Sequence, residues 1–121
     1  MKRRILIIED NEQNMYMLTY LLEINNFHVI QSFNGIDGTA LAEKFALDAI
    51  LLDIQLPEMD GYSIARELRK NPKLKNTPII AVTSYAMLGD KEKALEAGAT
   101  GYIEKPIDPD TFISQLESFL N

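Results

Sequence analysis

Five short runs of large aliphatic residues punctuate this chain, and between them apolar positions recur three and four residues apart. That combination predicts strands alternating with helices. The first run, residues 4–8, stops at Glu9-Asp10. Asn11 is placed to cap a helix whose inner positions are Met15, Leu18 and Leu22, and Asn25-Asn26 ends it, because Asn tolerates the left-handed backbone of a helix exit. Residues 27–31 form the second strand. Phe27 and Val29 alternate there with His28, as on a half-exposed edge. After a turn at Asn34-Gly35 a helix starts near Asp37, with Ala40, Leu41 and Phe45 turned inward.

The third run, Ala49–Asp53, is apolar until its last residue. Such a run suits a strand covered on both faces, so the acid that ends it belongs at the rim of a sheet. Pro57 and Asp60-Gly61 turn the chain, and a helix from about Tyr62 carries Ile64, Ala65 and Leu68 before failing at Asn71-Pro72. Pro78 opens the fourth strand, Ile79–Thr83. Residues 84–89 have weak periodicity; Asp90 is read as the cap of a helix with Ala94, Leu95 and Ala97 that stops at Gly98. Residues 100–104 are the fifth strand. Asp108-Pro109, a cap followed by proline, opens a last helix lined by Phe112, Ile113, Leu116, Phe119 and Leu120.

Strands and helices in strict alternation predict an α/β fold: a five-stranded parallel sheet, doubly wound, with helices on both faces. Crossovers in such sheets are right-handed, and sites form beyond the carboxyl ends of the strands. At 121 residues the chain is expected to be one domain, residues 1–121. A 46% hydrophobic content fits a packed core. No apolar run approaches a membrane span, and the apolar stretch after Met1-Lys2-Arg3-Arg4 is too short for a signal peptide; no membrane insertion and a cytoplasmic location are expected. Cysteine is absent, which excludes disulfides and thiolate metal sites. With a net charge of −6 and no basic stripe, nucleic acid is not an expected partner. The basic stretch 66–75 is read as a solvated helix and its exit loop.

The chemistry gathers at the strand ends: Glu9 and Asp10 after the first, Asp53 at the third, Thr83 at the fourth and Lys105-Pro106 after the fifth. Each has a structural alternative. Asp53 can simply end a strand, Glu9-Asp10 cap a helix, Thr83 be an ordinary strand residue, and Lys105 an exposed loop lysine. Where the first, third, fourth and fifth strands lie near each other, these residues together put three carboxylates, a hydroxyl and an ammonium on one rim. Close carboxylates repel, and an all-oxygen set suits Mg²⁺, with Mn²⁺ able to substitute. A carboxylate beside such a cation can accept a phosphoryl group, with Lys105 and the cation balancing the transferring oxygens and the Thr83 hydroxyl donating to one of them.

Glu9-Asp10-Asn11, the stretch from Asp53-Ile54-Gln55-Leu56-Pro57 to Asp60-Gly61, Ala81-Val82-Thr83 and Lys105-Pro106 resemble the receiver domain of bacterial response regulators of the CheY-like superfamily. The match runs the length of the chain. Asn14-Met15 and Ala86-Met87 before Gly89-Asp90 bring it nearest to stand-alone receivers of the DivK type. The resemblance implies a flavodoxin-like sheet of order 2-1-3-4-5, with no output domain. It implies phosphorylation of Asp53 by a sensor histidine kinase or a histidine phosphotransfer protein. It also implies Mg²⁺ held by Asp10, Asp53 and the Gln55 backbone carbonyl, with Glu9 acting through water, and Lys105 paired with the phosphoryl group before a cis peptide to Pro106. Thr83 and Tyr102 would be the switch pair, though Tyr102 can equally be a rim aromatic. The last helix-strand-helix face, with Tyr85, Met87, Leu88 and Tyr102, would meet downstream partner proteins. A monomer is expected, with dimerisation on phosphorylation as the alternative. Two other functions compete. An aspartyl-nucleophile phosphohydrolase needs a general acid two residues beyond the nucleophile, where Gln55 stands and cannot serve. A receiver-like module that never carries phosphate would not need Glu9, Asp10, Asp53, Thr83 and Lys105 together. Ser84 follows Thr83 where such receivers often have alanine, and its hydroxyl bears on access to the phosphoryl group; Gln55 and Tyr85 flank the site and would shield it from hydrolytic water, changing phosphoryl lifetime without the sequence deciding the sign.

Overall fold

The aliphatic runs pair side by side. In the computed structural model, which describes residues 2–56, 60–84 and 90–120, they form strands β1 (Arg3–Ile8), β2 (Phe27–Ser32), β3 (Ala49–Asp53), β4 (Ile79–Thr83) and β5 (Gly101–Glu104) of one parallel sheet. Their spatial order is β2-β1-β3-β4-β5, as anticipated. Helices α1 (Glu12–Ile24), α2 (Gly35–Lys44), α3 (Gly61–Arg69) and α4 (Asp90–Glu96) lie in the crossovers, and α5 (Phe112–Glu117) follows β5. The turn read at Pro57, and Tyr85, Met87 and Leu88 of the expected partner-facing surface, lie outside the described residues.

Alternation along each strand divides the core. Ile5, Ile7, Leu51, Ile80, Val82 and Ile103 face Met15, Leu18 and Leu22 of α1 and Phe112 and Leu116 of α5. Leu6, Ile8, Ile50, Leu52 and Ile79 face Ala42 of α2 and Ile64, Ala65 and Leu68 of α3. Ala81 packs with Ala94 of α4. β3 and β4 are buried along their whole length, because helices cover both faces of the middle of the sheet.

The local signals behave physically as expected at most ends. The Asn11 side chain accepts from the Asn14 amide, and Asn26 takes the left-handed conformation, φ 69°, past the end of α1. Gly98 does the same after α4, φ 113°. His28 is exposed on the edge strand β2.

Several details differ from the sequence reading. Asn34 caps a helix that already starts at Gly35, by accepting from the Asp37 amide. The inner face of α2 is Gly35, Gly38 and Ala42, while Ala40 is exposed. A Cβ on Gly38 would stand 2.5 Å from Ile8 Cδ1, so α2 is seated by the absence of side chains, which hydrophobic periodicity does not register. Asp90 lies within α4 rather than capping it, and Leu95 is 43% exposed, facing away from Ala94 and Ala97. α5 starts at Phe112, later than Asp108-Pro109 suggests. Asp108 instead turns the chain, its side chain accepting from the Asp110 amide and its carbonyl from the Thr111 and Phe112 amides.

The stretch 66–75 is not a uniformly solvated basic face. Arg69 donates to the carbonyls of Gly98, Leu74 and Thr77 at 2.6–2.8 Å and to Thr100 Oγ1 at 3.2 Å, joining α3 to the segments around β4 and β5. Burial lowers its pKa from the usual arginine value. Lys73 Nζ lies 2.9 and 2.8 Å from the Glu43 and Phe45 carbonyls and closes the carboxyl end of α2. Both cations serve orphaned carbonyls that only the folded chain brings near them.

Gly61 fixes where α3 meets β3. Its amide donates to the Ile54 carbonyl at 3.0 Å, and a Cβ there would stand 2.5 Å from Ile54 Cα and 2.8 Å from the Asp53 carbonyl oxygen. Those atoms are backbone and cannot rotate aside. Gly61→Ala is expected to cost about 3 kcal/mol, at the upper end for overpacking, measured by urea unfolding. A cost under about 1 kcal/mol would show that the helix can slide outward freely.

Candidate functional site

The carboxyl ends of β1, β3, β4 and β5 are contiguous in the sheet, which brings the separated residues of the sequence to one cleft. Glu9 leaves β1 with its amide bonded to the Ser32 carbonyl of β2, and its side chain is 1% exposed. Asp53, at the end of β3, is 3% exposed. Asp10 is exposed at the cleft mouth. One carboxylate oxygen from each of Glu9, Asp10 and Asp53 lies within 4.8 Å of the others. Lys105 reaches in from beyond β5, its Nζ 3.0 Å from Glu9 Oε1 and 3.4 Å from Asp53 Oδ1. The Lys105-Pro106 peptide is cis, as the resemblance implies. Thr83 is buried at the end of β4, where its pairing partner is Glu104. Asp53 Oδ1 also accepts from the Gln55 amide at 3.0 Å, and the Gln55 side chain accepts from Ser84 Oγ at 2.6 Å.

Residues 5–117 match the family of response regulator receiver domains. The chain belongs to that family. Two relatives, each a polar-differentiation response regulator DivK, are 39% identical (Brucella anthropi) and 38% identical (Brucella ovis), over 99% of this chain and 98% of theirs. The chemotaxis protein CheY4 of Vibrio cholerae superposes with a TM-score of 0.95 at 27% identity, covering 99% of this chain and all of that one. The receiver domain of a sensor histidine kinase from Pseudomonas aeruginosa PAO1, crystallised with a magnesium ion coordinated in its active-site cleft, superposes with a TM-score of 0.90 at 35% identity over 98% of both chains. This receiver therefore falls among two-component signalling proteins with the DivK and CheY response regulators. No helix among the described residues is long and apolar enough to cross a membrane.

The receiver's acids are held against their own repulsion. Burial, then the hydrogen bond and charge of Asp53, push the Glu9 carboxyl up from 4.5 to about 7, while Lys105 pulls it down. One lysine is shared between two buried carboxylates, with a third nearby. This excess of negative oxygen, without sulfur or imidazole, is a donor set that a small hard divalent cation fits. Glu9 is already engaged on both oxygens, Oε1 by Lys105 and Oε2 by the Asn11 amide at 3.2 Å. Asp10 and Asp53 are the better placed to ligate directly.

Tyr102 packs against the cluster of Ile54, Ala81, Ala94 and Ala99, with its hydroxyl 3.4 Å from Glu104 Oε1 and Lys91 Nζ 5.8 Å from its ring centroid. Burial and the Glu104 charge raise the Tyr102 pKa. Tyr102 pairs with Ala81, two residues before Thr83, so Tyr102 and Thr83 sit on one side of the sheet. The sequence reading missed two contacts here, Glu104 with Tyr102 and Ser84 with Gln55. The signal for both is register. Residues two apart on a strand share a face, and once Asp53 pairs with Val82, positions 55 and 84 lie opposite one another.

Proposed function

We propose that this receiver accepts a phosphoryl group on Asp53 from a phosphohistidine protein, either a sensor kinase or a phosphotransfer protein. The observation that carries the reading is the Lys105 ammonium lying between Glu9 and Asp53, with Asp10 beside them. A carboxylate oxygen of Asp53 attacks phosphorus, the bond from phosphorus to the donor imidazole nitrogen breaks, and its electron pair stays on that nitrogen. Lys105 neutralises the phosphoryl oxygens, and the Thr83 hydroxyl donates to one of them. Mg²⁺ (or Mn²⁺) held by Asp10, Asp53 and the Gln55 carbonyl, with Glu9 acting through water, supplies the remaining positive charge when bound. The new charge at Asp53 draws in Thr83 and with it the segment after β4, and Tyr102 turns away from Glu104 to follow. Downstream proteins read that change on the α4-β5-α5 face.

A phosphohydrolase is less well supported, because the Gln55 side chain, which stands where the general acid would be, is bonded to Ser84. The test is intact-mass measurement after incubation with a small phosphoramidate and Mg²⁺. One added phosphoryl group per chain, absent when EDTA replaces Mg²⁺ during the incubation, supports the reading, and multiple turnover of a phosphoester would replace it with the hydrolase.

The donor protein has a surface to land on. Tyr16, Tyr20 and Ile24 lie four residues apart on the outer face of α1 and are 74%, 54% and 60% exposed. α1 starts next to Asp10 at the cleft rim, so a protein presenting its phosphohistidine there lies across this helix. The double variant Tyr20→Glu/Ile24→Glu is expected to slow transfer from a phosphorylated histidine protein at least about tenfold, the loss expected of two central interface residues. Its labelling by the small phosphoramidate should be unchanged. Equal slowing of both would place the defect in the cleft instead.

A further inference from the structure

The sheet has two edges, and the chain treats them differently. β5, at one edge, is four residues long, ends in Glu104 and runs into Lys105-Pro106. A short strand with charge and proline at its end is a poor template for another strand. β2, at the other edge, has none of these features. All six of its residues stay in register with β1, without a bulge. Residues 24–36 contain no Asp, Glu, Lys or Arg, in a chain with 25% charged residues. Such a run is ordinary in a strand buried on both faces, as β4 is, but β2 is open along one side. Which backbone groups lie on that side follows from the ladder. The Ser32 carbonyl accepts from the Glu9 amide, so Ser32 turns its N–H and C=O toward β1. Alternate residues of a strand turn opposite ways, so Phe27, Val29 and Gln31 present theirs to the open side. The three are symmetric about Val29. Their side chains lie on the α1 face, with Phe27 and Val29 in the α1 cluster and Gln31 Nε2 donating to Thr19 Oγ1 at 3.0 Å. Tyr16, 74% exposed and three residues before Thr19, overhangs the edge from the same side of α1.

We infer that β2 pairs antiparallel with β2 of a second copy of this chain, across a two-fold axis at Val29, and joins the two sheets into one. In that register Val29 faces Val29 of the second copy and exchanges both backbone bonds with it, and Phe27 of each copy faces Gln31 of the other. Every outward N–H and C=O of β2 then has a partner. The side chains that meet are valine with valine and phenylalanine with glutamine on the α1 face, and His28 with Ile30 on the α2 face, so no like charges stand opposite one another. At a net charge of −6 per chain, two copies repel over most of their surface, and the uncharged edge is where they approach at least cost. Antiparallel pairing points the two acid-lysine clefts toward opposite ends of the joined sheet, so both stay open. The inference therefore does not depend on Asp53 being the acceptor.

The experiment is sedimentation equilibrium of the full chain from about 1 μM to about 1 mM. A reversible dimer of twice the 13.7 kDa chain mass is expected, with the micromolar Kd of a small interface. Gln31→Pro removes an outward N–H and no bond to β1, a place where an edge strand tolerates proline. It should raise Kd at least about tenfold, for the two bonds lost per dimer. Gln31→Ala loses the Thr19 bond but keeps the N–H, and should stay within about threefold of wild type. The register has its own readout, which holds even if the proline variant fails to fold. The chain has no cysteine, so oxidation of Val29→Cys should join two copies, because residues facing across a bonded pair have Cα atoms about 5.5 Å apart. Gln31→Cys should stay unjoined, its counterpart lying roughly 13 Å away along the strands. Asp53→Asn should dimerise as the wild type does. A monomer throughout the range, a dimer that survives Gln31→Pro, joining at 31 but not at 29, or a dimer lost with Asp53→Asn each overturns the inference, and only the last of these bears on the cleft.

Discussion

Asp53→Asn is expected to take up no phosphoryl group and yet to melt higher than the wild type when divalent cations are removed. Both effects have one cause. The carboxylate is the proposed nucleophile, and a neutral amide cannot replace it. In the metal-free cleft the same carboxylate stands within 4.8 Å of two others, with one lysine between it and Glu9. Removing its charge relieves that repulsion, and the amide oxygen of Asn still accepts from the Gln55 amide. A gain of about 1 kcal/mol corresponds to roughly 3 to 6 °C for a domain of this size. The rise in melting temperature that Mg²⁺ gives the wild type should largely disappear, since a ligand stabilises only a state that binds it. Intact mass and thermal melts in EDTA and in Mg²⁺ check the three statements. A variant that still labels has another acceptor, and one that melts lower in EDTA shows that Asp53 is a net stabilising charge.

Lys105→Met should act in the opposite direction. Methionine keeps the apolar stem and removes the ammonium, leaving Glu9 and Asp53 buried without their shared cation. Breaking a buried pair from one side costs several kcal/mol, and with Lys105 partly exposed about 2 to 3 kcal/mol is expected in EDTA. The loss depends on pH with a definite sign. Glu9 in the fold already titrates at about 7 against an ordinary 4.5, and without Lys105 it moves higher still. A raised carboxyl favours the fold below its ordinary pKa and loses that contribution as pH rises through the raised value. Lys105→Met should therefore be least harmful near pH 4.5 and most harmful above about pH 7, which urea unfolding at both ends would measure. A loss independent of pH would mean that the stem's packing, not the charge, is what Lys105 contributes.

These two substitutions show how far the residues could be read before the fold was known. The runs at 4–8, Ala49–Asp53 and Ile79–Thr83 announced buried strands because a strand covered on both faces must be apolar throughout. The caps at Asn11 and Asn34 and the exits at Asn26 and Gly98 rest on local backbone chemistry, which a few neighbouring residues decide. The five chemical residues were legible because each ends or follows a strand, and strand ends share a rim.

The chain alone therefore determined the alternation of elements, the parallel sheet and the identity of the acids, the hydroxyl and the lysine at its carboxyl edge. All of these follow from periodicity and local backbone preference. The tertiary structure alone decided the contacts between residues far apart in sequence. Among them are Lys105 between Glu9 and Asp53, Arg69 serving the carbonyls of Leu74, Thr77 and Gly98, Lys73 closing α2, and Ser84 bonded to Gln55. It also decided the seats of Gly38 against Ile8 and Gly61 against Ile54. A cation's partner is set by which orphaned acceptor the fold brings within reach, and a glycine's role by what would fill the space beside it. Neither leaves a periodic trace along the chain.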